Sequence, residues 1–227
     1  MADLKHVQTR DGSSTLYAPR FEEHYHSLHG AVQESMHVFI EMGLRALPKE
    51  LEQVRIFEMG FGTGLNALLT LLHRGEKKIK YVGIEAYPIQ SEQWESLNYP
   101  QELGEEAVVH FRQLHESAWE TPLAVVPGFG FEKRQQKLED LELSDPVDLI
   151  YFDAFAPTAQ PELWTDAVMQ RMADLLAPGG IFVTYSAKGS VRRALQAAGL
   201  VVEKLPGPPG KREMLRGRRG DLRSPSQ

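Results

Sequence analysis

A doubly wound α/β fold on a mostly parallel sheet, with an N-terminal helical addition, is predicted by three features of this 227-residue chain. Strand-type and helix-type segments alternate from Val54 to Leu200, no cluster of hairpin turns interrupts them, and a glycine-rich turn follows the first strong strand. Such alternation implies parallel strands joined by right-handed crossovers, with helices on both faces.

The first twenty residues are polar, with turn chemistry at Asp11-Gly12-Ser13-Ser14, and read as an arm or a small hairpin. From Glu22 to Leu47 apolar residues recur at helical spacing (Val32, Met36, Phe39, Ile40, Leu44, Leu47), and Pro48 marks an end. Val54–Met59 reads as a strand bounded by Gly60, Leu65–Leu72 as a helix, and Ile79–Ile84 as a second strand. A helix over Ile89–Leu97 stops before Pro100, and Val108-Val109-His110-Phe111 reads as a short strand. Pro122–Glu142 reads as a turn into a further strand. Val147–Phe152 is a buried-type strand, Pro161–Leu176 an amphipathic helix, and Pro178-Gly179-Gly180 a turn. Ile181–Tyr185 is a strand, Ser190–Ala198 a helix closed by Gly199, and Val201 opens another strand. The expected organisation is an arm over 1–20, a helical part over about 21–50, a core over about 51–217, and a disordered tail over 218–227.

Composition excludes several classes. At 42% apolar and 25% charged residues, the chain is neither wholly disordered nor collagen-like. With no cysteine, disulfides, thiolate zinc sites, iron–sulfur clusters and a cysteine nucleophile are ruled out. No apolar run approaches the roughly 18–20 residues that span a bilayer, and the start lacks a secretory signal. A cytoplasmic protein with no membrane partner is expected. His24, His26 and His29 do not share a helical face, so no metal is expected. The net charge of −6 hides an asymmetry: residues 188–227 hold 10 Lys+Arg against 3 Asp+Glu. Clustered cations neutralise phosphates locally, whatever the distant total.

Three motifs carry chemistry. The first is EMGFGTGLN, Glu58–Asn66, at a strand–helix junction, where doubly wound sheets hold nucleotide-like cofactors. Its spacing is neither G-x-G-x-x-G nor a triphosphate loop, so a loop packed on a nucleoside is favoured over a pyrophosphate cradle. Glu58 is placed to accept a hydrogen bond from an ammonium group, and Glu85, ending the second strand, to accept ribose hydroxyls. The second is YFDAFAPTAQPELW, Tyr151–Trp164, which puts Asp153 at the carboxyl end of a central strand among aromatics. A carboxylate there orients an amine and receives its proton; the blander role is a turn cap. The third is PGKREML, Pro209–Leu215, in which Lys211 and Arg212 supply phosphate donors and Glu213 orients them, with Arg192 and Arg193 extending the surface.

EMGFGTGLN, GIEAYP, DAFAP with PELW, LAPGG and KREML occur in that order, after an entry segment YHSLHGAVQESMHVFIEMGL. Together they resemble the methyltransferase domain of the bacterial tRNA wobble-uridine modification enzymes, the MnmC family, from about Tyr17 to Gly217. The resemblance implies a Rossmann-like class I methyltransferase that uses S-adenosylmethionine on the amine of 5-aminomethyl-(2-thio)uridine in tRNA. It implies no FAD and no oxidase domain in this chain, hence a stand-alone form, with the aminomethyl substrate supplied by a separate enzyme. Carried over by motif, Glu58, Gly60, Gly62, Gly64 and Asn66 would line the cofactor and Glu85 hold its ribose. Asp153 would be the catalytic acid, with Phe155, Lys211, Arg212 and Glu213 on the substrate. The wobble base would leave its stack for aromatics such as Tyr25, Phe155 or Trp164. One departure stands out. The family usually has Gly-Asp after its fourth strand, the Asp reaching adenine, whereas FEKRQQKLEDL here puts Lys137 near that position; Glu139, Asp140 or a backbone group is left for the contact. The alternatives are methylation of a small-molecule or protein amine, and a catalytically silent cofactor-binding partner subunit.

Overall fold

A computed structural model describes residues 4–220. Eight strands form the main sheet in the order β10 (Val201–Pro206), β11 (Glu213–Arg218), β9 (Leu176–Thr184), β8 (Val147–Phe152), β4 (Gln53–Met59), β5 (Lys78–Ile84), β7 (Phe129–Arg134), β6 (Leu123–Val126). The five central strands run parallel, while β10–β11, β11–β9 and β6–β7 pair antiparallel. Strand order reverses at β4, whose neighbours are β5 on one side and β8 on the other. Ligand crevices open at such a switch point, at the carboxyl ends of the strands.

Side-chain parity along β4 assigns its two faces. Val54 and Ile56 point to one cluster, shared with α2 (Leu65–His73) and α5 (Glu105–Glu116). Phe57 and Met59 point to the other, shared with α6 (Asp166–Leu175) and α7 (Gly189–Ala197). Successive strand residues face opposite sides, so Glu58 falls on the α2 side with Val54 and Ile56. The doubly wound, mostly parallel reading is therefore borne out.

The N-terminal segment forms a separate three-stranded sheet of β1 (Lys5–Gln8), β2 (Ser14–Ala18) and β3 (Glu23–His24). Its turn is tied to the core through Asn98, whose Nδ2 donates to the Gly12 carbonyl at 2.8 Å. Helix begins only at α1 (Ala31–Ser35), which runs into a π-helical turn over Met36–Glu41 and a 3-10 turn at Leu44–Ala46. The helical reading thus started nine residues early, because Glu22–Gly30 wraps over the cavity described below.

Three further expectations are corrected. Val108–Phe111 is not a strand but the middle of α5: Ala107, Phe111 and Leu114 are buried on one helical face, while Val108 and Val109 are 48% and 57% exposed. Two adjacent β-branched residues mimicked a strand there. Pro100 does not follow a single helix but starts a second one, since α3 (Ser91–Glu95) gives way to α4 (Tyr99–Leu103). Pro is tolerated in a first turn, where its missing N–H has no partner to lose. Pro178-Gly179-Gly180 lies within β9, as a register shift against β8. The Gly179 N–H donates to the Arg219 carbonyl and the Arg219 N–H returns the bond to Gly180. Arg219, expected in a tail, is thereby fixed; the remainder of that expected tail, residues 221–227, lies outside the described residues. Because Val109 is solvent-facing on a helix, Val109→Lys should change the unfolding free energy in urea by no more than about 0.5 kcal/mol. A strand with that residue packed inward would lose several times more.

Candidate active site

A cavity of about 450 Å³ opens at the carboxyl ends of β4, β5 and β8, within the range of ligand sites. Its floor is the glycine loop that leaves β4. Gly60 has φ 89°, and a Cβ there would meet the Asp153 carbonyl oxygen at 2.8 Å. The position therefore requires glycine, both for the left-handed backbone and for the close approach of the next strand's end. The Asp153 N–H also donates to the Met59 carbonyl at 3.0 Å, so loop and acid share one backbone contact.

Glu85, at the end of β5, holds the loop from the other side. Its Oε2 accepts from the Gly62 N–H at 3.0 Å and its Oε1 from the Tyr87 N–H at 2.9 Å. A carboxylate has about four acceptor positions, so these backbone donors leave capacity for a hydroxyl in the cavity. Burial raises its pKa, and the backbone donors pull it back. Beyond the loop, His115 fixes the Thr63 carbonyl through Nε2 at 3.0 Å, which makes that nitrogen the protonated one. Burial lowers the His115 pKa to about 3, so the ring stays neutral.

Asn66, in the first turn of α2, joins two acids. Its Nδ2 donates to Glu58 Oε1 at 2.9 Å and to Asp153 Oδ2 at 2.8 Å. Asn66 Oδ1 is buried without a partner among the described residues. Asp153 faces the cavity, and its pKa is pushed up to about 7 by burial. The Asn66 hydrogen bond and Lys211 pull it down, and Glu34 pushes it up.

The other end of the cavity is aromatic. Phe155 stacks on Phe21 at 4.6 Å between ring centroids and meets Tyr25 edge-on at 5.0 Å. Lys211 enters from the β10–β11 turn, its Nζ 2.6 Å from Glu34 Oε1 and 3.8 Å from the Tyr185 ring centroid.

Of the residues expected at the site, Gly60, Gly62, Asn66, Glu85, Asp153, Phe155 and Lys211 line this one cavity. Four do not. Glu58 is fully enclosed behind Asn66. Gly64 abuts His115 and Phe61 and caps α2 with φ 73°, so it shapes the loop from beneath. Arg212 is exposed, and Glu213 pairs with Lys204 at 2.8 Å. Trp164, one of the suggested base-receiving aromatics, is buried, with Nε1 donating to the Phe155 carbonyl at 2.8 Å; it supports the wall from behind. Lys137 and Glu139 are on the wall, and Asp140 is not. Sequence reasoning missed Glu34 and Tyr185. Glu34 had a readable signal: it interrupts the apolar face of α1 between Ala31 and Val38, and a buried acid there needs a partner. Among the described residues no group of three His, Cys, Asp or Glu is placed to hold a metal. No helix among them is long and apolar enough to cross a membrane.

A family model described as an S-adenosyl-L-methionine-dependent methyltransferase matches residues 105–220, which include Asp153, Phe155 and Lys211. The chain belongs to that family. It is 33% identical over 225 residues to the tRNA 5-methylaminomethyl-2-thiouridine biosynthesis bifunctional protein MnmC of Cupriavidus metallidurans, covering 92% of this chain and 33% of that protein. The protein of the same name from Aromatoleum aromaticum is 35% identical over 227 residues, covering 94% of this chain and 35% of the relative. The chain thus spans about one third of the length of these relatives. The crystal structure of MNMC2 from Aquifex aeolicus superimposes with a TM-score of 0.81 at 24% identity, over 99% of this chain and 72% of that one. Streptomyces venezuelae DesVI does so at 0.51 and 14%, over 83% and 92%. These two show the fold. The resemblance to the MnmC family drawn from the motifs holds.

The family's methyl donor suits the cavity. Glu85 offers acceptors to hydroxyls, and a carboxylate beside the glycine loop disfavours a pyrophosphate. Bound there, the sulfonium supplies an already activated methyl group.

Proposed function

We propose that this chain methylates the primary amine of 5-aminomethyl-(2-thio)uridine at the tRNA wobble position, taking the methyl group from S-adenosylmethionine. The observation that carries the reading is the Asp153 carboxylate, which shares a cavity with the hydroxyl-accepting Glu85 and lies beside an aromatic slot. The names of the relatives, identical at about one residue in three, support the same acceptor. A primary alkylamine is mostly protonated near neutral pH and then lacks a lone pair. Asp153 accepts a hydrogen bond from the neutral amine, aims its lone pair at the methyl group and, as a carboxylate, offsets the positive charge that grows on nitrogen during transfer. Phe155 and Tyr25 offer flat apolar surface for a base taken out of its stack. The aminomethyl group itself must come from an earlier reaction.

The basic C-terminal end contributes less charge to RNA than its composition implies. Arg216 and Arg218 pair with Glu203, Lys204 with Glu213 and Lys211 with Glu34, and Arg219 is bound to backbone carbonyls of Ala173 and Asp174. Among the described residues of this end, Lys188, Arg192, Arg193 and Arg212 have no carboxylate partner, which leaves four cations for phosphates. With about 0.7–0.9 counterions released per contact, log affinity for tRNA against log salt should have a slope of roughly −3 to −4. The test is methyl transfer to tRNA bearing 5-aminomethyl-2-thiouridine, read by nucleoside mass spectrometry, with binding followed across salt. Turnover of free small amines as fast as of tRNA, together with a flat salt response, would overturn the tRNA acceptor in favour of a small-molecule amine.

A further inference from the structure

The acid that opens the glycine motif stands where a contact to the methyl donor is expected, yet it does not reach the cavity. Glu58 is 0% exposed and lies on the α2 side of β4. Its Oε1 accepts from Asn66, and the buried Tyr81 hydroxyl is the second hydrogen-bonding group that faces it. Burial, together with the nearby carboxylates Asp153 and Glu85, raises its pKa well above the usual range. Enclosed behind Asn66 and absent from the cavity wall, Glu58 makes no direct contact with an ammonium bound there.

What Glu58 does touch is the amide that touches Asp153. The Asn66 Nδ2 spends one N–H on each acid, at 2.9 and 2.8 Å. Removing either acceptor frees the amide to turn its carbonyl toward the other, which would replace an attraction by a repulsion. We infer that Glu58 is a positioning residue: it fixes the Asn66 amide, and through it the rotamer of the Asp153 carboxylate, instead of binding the methyl donor. The inference rests on reading Asp153 as the carboxylate that holds the amine. The other charged groups acting on Asp153 are Glu34 and Lys211, which are paired with each other across the cavity mouth.

Three measurements on Glu58→Gln, Glu58→Leu and Asn66→Ser test this. They are kcat on aminomethyl tRNA, the calorimetric Kd for S-adenosylhomocysteine, and the midpoint of the Asp153 carboxyl titration by carbon-13 NMR. Gln keeps the shape and an acceptor for Asn66, so Glu58→Gln stays within threefold of the wild type in all three. Glu58→Leu lowers kcat at least tenfold and moves the Asp153 midpoint upward, because the carboxylate loses an ordered donor, while Kd stays within threefold. Asn66→Ser repeats the kcat loss and the midpoint shift, and it serves if the leucine variant does not fold. A tenfold weaker Kd in Glu58→Gln overturns the inference, since the acid's charge would then be part of the donor site. Wild-type kcat and midpoint in Glu58→Leu or Asn66→Ser overturn it as well. If wild type gives no turnover on aminomethyl tRNA, the proposed reaction falls, while calorimetry and NMR still decide the role of Glu58.

Discussion

Asp153→Asn lowers kcat for methyl transfer by at least two orders of magnitude, about 2.7 kcal/mol in the barrier, while donor affinity stays within about threefold. The asparagine keeps the shape and a contact to Asn66 but accepts no proton and carries no negative charge. A variant that retains near wild-type kcat would remove Asp153 from the chemistry. The same carboxyl sets a pH dependence. With its pKa pushed up to about 7 by burial, Asp153 is protonated below that value, so kcat/KM rises as pH increases through about 7. Stability moves the other way. The folded state binds this proton more tightly than the unfolded chain, whose value is near 3.8, so between about pH 4 and pH 7 stability falls as pH rises. Asp153→Asn lacks that dependence. Its melting temperature should exceed that of the wild type above pH 7, with the gain disappearing toward pH 4.

Glu85→Ala weakens S-adenosylhomocysteine binding by at least a hundredfold, about 2.7 kcal/mol. Two losses combine: the acceptors left for donor hydroxyls, and the anchors for the Gly62 and Tyr87 N–H groups that hold the loop in shape. Leaving those two part-buried N–H groups without an acceptor should also lower stability by about 1–3 kcal/mol. Calorimetry and urea unfolding on the same preparation read both effects. Binding within threefold of wild type would remove Glu85 from the donor site.

The parts of the molecule written in local pattern were the legible ones. Val54–Met59, Leu65–Leu72, Ile79–Ile84 and Val147–Phe152 differ from the observed elements by at most a residue at either end, because each is a long apolar run with a glycine or polar boundary. Asp153 and Glu85 were legible because the carboxyl ends of parallel strands converge on one edge. Placement was harder to read. Glu58 and Asp153 share the α2-side parity, one with Val54 and Ile56 and the other with Leu149 and Tyr151, and what separates them is depth: Glu58 lies inside β4, whereas Asp153 stands one residue past the end of β8. Arg212 and Glu213 failed for a related reason: one turn brings all of KRE near the mouth, but only Lys211 points inward, toward Glu34, a partner 177 positions earlier. Pairing across that separation leaves no local trace.

Gly60 lies so close to the Asp153 carbonyl that the glycine loop and the Asp153 main chain move as one unit. Neither can drift without dragging the other. The backbone of two neighbouring strands therefore fixes the Asp153 main chain against the loop, while Asn66, held by Glu58, sets its side chain. Divergence toward a different amine is channelled into the detachable outer wall, Phe21 and Tyr25 of the N-terminal wrap against Phe155. The reaction is inherited with the sheet, whereas the choice of guest is open to revision.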